Sequence, residues 1–205
     1  RGVAEAYAGV AALHGTDFLG AGSVIAVSPL DGIHFDAGAH AALGAAIAER
    51  RVVRRYAALI WGHLDADERT VDRPIARDPR DRQRMAVVPD GKPARTTFRR
   101  LARFDSGDLL RAHLHTGRTH QIRVHAAHCG HPVAGDPKYG DAEFNARLRE
   151  LGLTRMFLHA HSCAFRWPRG AEVSLSAPLP EALKDVLERL GTPRGTLGRG
   201  GGRRG

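Results

Sequence analysis

Residues 117–140 read GRTHQIRVHAAHCGHPVAGDPKYG, and the way this stretch divides decides the fold. His113, Leu114 and His115 run into Gly117 as a strand runs into a turn. Thr119 is placed to cap a helix whose buried side carries Ile122, Ala126 and Cys129, with Gly130 as its left-handed stop. Pro132, Gly135, Asp136, Pro137 and Gly140 then make a stiff loop of turn residues. Arg118, His120, Gln121, Arg123 and His125 crowd more cationic and polar donors onto one short helix than an exposed face requires.

Working outward, Thr96–Phe104 and Asp108–His115 are expected as two strands joined at Asp105-Ser106-Gly107. They would pair Phe98, Leu101 and Phe104 with Leu109, Leu110 and Leu114 in a half-buried antiparallel sheet. Residues 70–96 are a Pro- and Arg-rich loop with a hairpin turn at Asp90-Gly91. The alternating charges Arg77, Asp78, Arg80, Asp81, Arg82 and Arg84 predict a solvated, salt-bridged surface, with some of the arginines meeting phosphates. Further back, ERRVVRRYAALIWGHL (49–64) predicts a basic helix end over Arg50–Arg55, then a β-run Tyr56–Trp61 closed by Gly62. Downstream, Ala142–Leu151 is a short helix, and a strand beginning Phe157-Leu158-His159-Ala160 continues through Phe165 and Trp167. Ala177-Pro178-Leu179-Pro180 introduces a terminal helix, Glu181–Leu190. The class is α+β: a mixed, mainly antiparallel sheet with flanking helices.

The 205 residues, 42% of them hydrophobic, suffice for one ordinary core or a core with an appendage. The chain carries 31 Lys+Arg against 22 Asp+Glu, a net charge of +9 that favours a polyanionic partner, nucleic acid before membrane. Residues 1–48 hold one base, Arg1, against Glu5, Asp17, Asp31 and Asp36, a net −3, so residues 49–205 carry +12. Cys129 and Cys163 form no CxxC pattern, which suits a reduced cytoplasm and argues against a disulfide framework. No apolar run approaches the roughly 18 residues of a membrane span. The chain opens on Arg1 rather than Met, as a piece of a longer protein would. Residues 191–205 are Gly/Arg-rich without acids and predict a disordered tail with non-specific RNA affinity.

Residues 1–48 predict a short α/β segment: an Ala-rich helix bearing Val3, Tyr7 and Val10, apolar runs at Phe18-Leu19 and Ser23–Val27, and a second helix over Ala37–Ala48. The run VSPLDGIHFDAGAHAALG (27–44) resembles the C-terminal block of the SGNH (GDSL) esterases, whose Asp-x-x-His element supplies two members of a hydrolytic triad. Asp31 and His34 would hold those positions, a carboxylate orienting an imidazole as general base. The family's Gly-Asp-Ser block is missing. The plainer reading has Asp31 and Asp36 flanking a turn and capping the next helix.

The opening stretch resembles the last core motif of the RluA-type RNA pseudouridine synthases: Gly-Arg-Thr-His-Gln-Ile-Arg-x-His, then Gly-His-Pro and Gly-Asp-x-x-Tyr-Gly. Arg54-Arg55-Tyr56-Ala57-Ala58-Leu59 resembles that family's Lys/Arg-x-Tyr-x-Ala-Leu motif, and Phe157-Leu158-His159-Ala160 its Phe-Leu-His-Ala strand. The resemblance covers residues 49–190 as the C-terminal half of a synthase domain. It implies isomerisation of uridine in structured, ribosomal RNA, without a cofactor, by a cytoplasmic monomer. By resemblance, Tyr56 would stack on the uracil and assist proton removal, and Arg123 would pair with the catalytic aspartate and keep it ionised. Arg118, His120 and Gln121 would contact RNA. A target uridine must leave its stack, so an aromatic platform and a positive rim are what this chemistry needs.

The family's nucleophile lies in His-Arg-Leu-Asp-x-x-Thr-Ser-Gly, ahead of the tyrosine motif. Its nearest counterpart is His14-Gly15-Thr16-Asp17, which lacks the Arg, Leu, Thr and Ser. Two alternatives follow: a non-catalytic RNA-binding remnant, and an SGNH-type esterase. The twelve histidines have no Cys or carboxylate partner at ligand spacing, so no metal site is expected.

Overall fold

The computed structural model describes residues 52–166 and 172–194. The elements expected over residues 1–48, with Asp17, Asp31 and His34, lie outside the described residues, as do Trp167 and the tail from residue 195. Eight strands are described: β1 (Val53–Trp61), β2 (Glu68–Asp72), β3 (Ile75–Arg77), β4 (Met85–Val87), β5 (Arg95–Arg103), β6 (Gly107–Leu114), β7 (Leu158–Arg166) and β8 (Glu172–Ser176). Three helices accompany them: α1 (Gln121–His128), α2 (Ala142–Glu150) and α3 (Glu181–Arg189). Six strands form one sheet in the order β2-β5-β6-β1-β7-β8, and β3 and β4 form a separate pair. Every strand pairing is antiparallel.

β1 starts earlier than its charge pattern predicts. Arg54 and Arg55 are strand residues, not a helix end, lying opposite Leu114 and His113 of β6 and opposite Cys163 and Ser162 of β7. The β-branched pair Val52-Val53 and two hydrogen-bonded neighbours outweigh the basic character that suggested a helix.

The β5–β6 hairpin forms as expected. Its turn requires Gly107, because a Cβ there would lie 2.1 Å from the Ile60 carbonyl oxygen. A bulge between Arg100 and Ala102 breaks the alternation of β5 and leaves Leu101 39% exposed, so Leu101 does not join the core with Phe98 and Phe104.

Alternation along β1 sorts the core onto two faces. Ala58 and Ile60 point to one face, where Ile60, Phe98, Leu110, Ala112 and Leu114 meet Ile122 and Ala126 of α1. Leu59 points to the other, among Phe104, Phe144 and Leu148 of α2, and Leu183 and Val186 of α3. α2 is capped by Asp141, whose carboxylate accepts from Phe144 N–H at 2.8 Å.

β7 pairs with β1 only as far as Ala58. Beyond it, the segment after α1 takes over: Trp61 N–H donates to the Pro132 carbonyl at 2.9 Å, and Ala134 N–H to the Leu59 carbonyl at 2.8 Å. Phe157 N–H donates to the Ala134 carbonyl, and Leu59 N–H to the Phe157 carbonyl, closing a three-way ring of backbone bonds. That ring fixes where the loop 132–140 begins.

Candidate active site

α1 begins without the expected cap. Thr119 is exposed, and His120 occupies the N-cap in the left-handed region (φ 56°, ψ 22°) with no side-chain cap bond. Few non-glycine residues adopt this conformation. Gln121 holds the turn from inside. Its Oε1 accepts from Thr116 Oγ1 at 2.6 Å and from Arg118 N–H at 3.0 Å, while its Nε2 donates to the Arg95 carbonyl and to Thr96 Oγ1. Gln121 is buried with its hydrogen-bonding capacity filled within the chain, so its side chain presents no open atom to a ligand. His125 is equally enclosed, bonded to Thr96 Oγ1 and the Arg73 carbonyl, and burial pushes its imidazole below the ordinary range.

α1 ends as the sequence predicts. Gly130, at φ 80°, lets its own N–H reach the Ala127 carbonyl and His131 N–H reach the Ala126 carbonyl, the double bond of a Schellman stop. The chain then turns back, and the loop delivers Asp136 to Arg123. Arg123 donates from Nε to Asp136 Oδ2 and from Nη2 to Oδ1, both at 2.7 Å. Asp136 Oδ1 also accepts the backbone N–H groups of Lys138 and Tyr139. Burial alone would raise this carboxyl, but the Arg123 bonds and those two amides outweigh it and hold it below the ordinary carboxylate range.

Two guanidinium groups, Arg84 and Arg123, lie over the Tyr139 ring, each 4.9 Å from its centroid. Its hydroxyl accepts from Met85 N–H at 2.9 Å and shares a 3.0 Å hydrogen bond with His120 Nδ1. Desolvation, then the nearby charges of Arg123 and Lys138, push His120 below the usual histidine range. Arg118 is half-exposed and donates from Nε to the Pro93 carbonyl at 3.0 Å.

Tyr56 lies on the face of the sheet that α1 covers, packed on the cluster that holds Ile122 and Ala126. Burial raises its phenol above the ordinary value, opposed by the charge of Arg54. Arg54 shares this face, and a Cβ on Gly117 would come within 2.7 Å of its Nη1. The tyrosine strand and the turn that opens α1 therefore meet through Arg54. Two residues with no assigned role in the sequence reading are thus central here: Asp136, read only as a turn residue, and Arg54, read as a helix end. The signal for Asp136 was its place in the Gly-Asp-x-x-Tyr-Gly run. Among the described residues, no group of three or more His, Cys, Asp or Glu residues is placed to hold a metal ion.

Residues 35–128 match the family model described as RNA pseudouridylate synthase. The match begins ahead of Glu49, so residues 35–48 fall within it as well. An uncharacterised RNA pseudouridine synthase of Chloroflexus aurantiacus is 50% identical over 142 residues, 69% of this chain and 43% of the relative. Ribosomal large subunit pseudouridine synthase C of Haemophilus ducreyi is 40% identical over 73% of this chain and 48% of its own length. Synthase D of Nitrosomonas europaea is 43% identical over 69% and 42%. The chain spans less than half the length of these curated relatives. Among solved structures, human RNA pseudouridylate synthase domain containing 1 superposes with a TM-score of 0.68 at 28% identity, covering 80% of this chain and 69% of that one. The ester-hydrolase reading of Asp31 and His34 gains no support from these relatives. In sequence and in fold, the chain is similar to RNA pseudouridine synthases.

Proposed function

We propose that this chain carries the base-gripping half of a pseudouridine synthase that acts on uridine in structured RNA, large-subunit ribosomal RNA first. The reaction breaks the N-glycosidic bond, turns the uracil and rejoins it through carbon 5. The observation that carries the reading is the approach of the α1 turn to the Tyr56 face, with Arg123 fixed by buried Asp136. A phenol kept neutral by burial suits a flat platform for an extruded base, so stacking is the larger part of Tyr56's role. Arg123 uses Nε and Nη2 on Asp136, which leaves Nη1 for the nucleophilic carboxylate, supplied from outside the described residues. Asp136 is then a positioning residue that sets the guanidinium plane. Arg118 and His120 serve as RNA contacts at the mouth of the site. Gln121 holds Arg118 in register from the interior rather than touching RNA itself. The chain works without a cofactor, in the cytoplasm, as a monomer.

A second reading, RNA binding without catalysis, is favoured by one fact. The carboxylate beside Arg123 is Asp136, and its oxygens are already occupied by Arg123, Lys138 N–H and Tyr139 N–H. Incubation with transcribed ribosomal RNA separates the two. Conversion of uridine to pseudouridine, lost in Tyr56→Ala and Arg123→Ala, supports the catalytic reading. Salt-sensitive binding with no conversion supports the second.

A further inference from the structure

The Nε–H of Arg54 is buried without a hydrogen-bond partner, a state shared among the described residues only by Arg84 Nε. Arg84 has an evident attachment, since its guanidinium lies over the Tyr139 ring. Arg54 has neither a ring beneath it nor a carboxylate paired with it among the described residues. A buried, unpaired guanidinium donor is costly to a fold, so one that is retained calls for an explanation.

The surroundings indicate what that partner is. Arg54 and Tyr56 are alternate residues of β1 and so point to the same face, about 7 Å apart along the strand. Gly117 stands against the guanidinium, and any side chain there would displace it, since a Cβ would meet Nη1 at 2.7 Å and Nη2 at 3.1 Å. On the third side is β7, where Cys163 lies opposite Arg54. Among the described residues, Tyr56, Gly117 and Cys163 leave the guanidinium with no neutralising acid, in a chain whose net charge is +9. The planar donor fork of arginine matches a phosphate better than a point cation would.

We propose that Arg54 is the phosphate-binding cation of the Tyr56 site, taking a backbone phosphate oxygen of the RNA strand whose uracil stacks on Tyr56. This rests on the RNA-binding part of the reading above and not on its catalytic part. Gly117 is then explained as the residue that makes room for the guanidinium.

The test is binding of a uridine-containing RNA stem–loop to the full chain, followed by fluorescence anisotropy across a series of KCl concentrations. Unaltered chain, Arg54→Met and Arg54→Lys are compared, and the urea midpoint of each is recorded. Arg54→Met is expected to bind about tenfold more weakly. Its dependence of log K on log salt should flatten by about 0.7–0.9, the signature of one lost phosphate contact. Arg54→Lys should keep the slope and lose part of the affinity. The urea midpoint of Arg54→Met should hold or rise, because an unpaired buried donor has gone. A scan with single methylphosphonate linkages should find one position that weakens the unaltered chain and has no further effect on Arg54→Met.

Unchanged affinity and slope in Arg54→Met overturn the proposal. So does a fall in its urea midpoint, which would put a carboxylate of this protein, not a phosphate, on the guanidinium. Failure of the unaltered chain to bind RNA overturns it as well. RNA held through Arg54 without conversion of uridine would remove the catalytic reading and leave this one standing.

Discussion

Asp136 and Arg123 form the pair on which the site geometry depends, and the cost of separating them follows from their burial. The Asp136 side chain is wholly enclosed and that of Arg123 only 14% exposed. Asp136→Asn strands a guanidinium that solvent cannot rescue, so we expect a loss of about 3 kcal/mol in urea unfolding. The exposed pair Arg69–Asp65, at 3.5 Å, is a control: Asp65→Asn should change stability by less than about 0.5 kcal/mol. A loss at Asp136 no larger than at Asp65 would show that the bidentate bond is not an anchor. The sequence singled out Arg123 through its motif, yet it did not link residue 123 to residue 136. No local spacing rule spans a helix, a left-handed stop and a reversing loop. The enclosure of Gln121 was illegible for a similar reason: its four partners come from residues 95, 96, 116 and 118, and only the fold brings them together.

At the level of elements, the expected hairpin, the α1 stop and the short helices were legible because each depends on chemistry within a few residues. The start of β1 was not, since partners 60 and 109 positions along the chain decide whether Arg54 is strand or helix. The bulge at Leu101 escaped as well, because alternation in a sequence carries no mark of an extra residue. Two glycines make a paired prediction. Gly130 has open space where a Cβ would go but sits at φ 80°, so Gly130→Ala should cost about 1 kcal/mol through backbone strain alone. Gly107 has an ordinary φ, but its Cβ would strike the Ile60 carbonyl at 2.1 Å, so Gly107→Ala should cost about 2–3 kcal/mol. Equal losses at the two positions in urea titrations would contradict this separation of strain from collision.

For the molecule as a whole, the groups that titrate on the acid side agree on a direction. His113, His120 and His125 are all pushed below the free value of 6.5, chiefly by burial. Asp108 and Asp136 are both held below 3.8; burial opposes this, and their hydrogen bonds, led by Arg103 and Arg123, prevail. In each case the unfolded chain binds the proton more readily, so acid favours unfolding. The histidine share of stability is complete above pH 6.5 and falls away below it. The carboxylate share begins to go nearer pH 4. A urea midpoint that rises as pH drops from 7 to 5 would refute this sign. The net charge of +9 adds self-repulsion to the same trend as further protons bind. The hydrogen-bond ring through Leu59, Ala134 and Phe157 couples two parts of this picture. Tyr56 stands three residues before one member and Asp136 two residues after another, so the stacking platform and the guanidinium's anchor are geared to a common shaft. Amide deuteration should register this: the N–H groups of Leu59, Ala134 and Phe157 should open in unison, and a ligand that seats against Tyr56 should slow all three, including the two farthest from it in sequence.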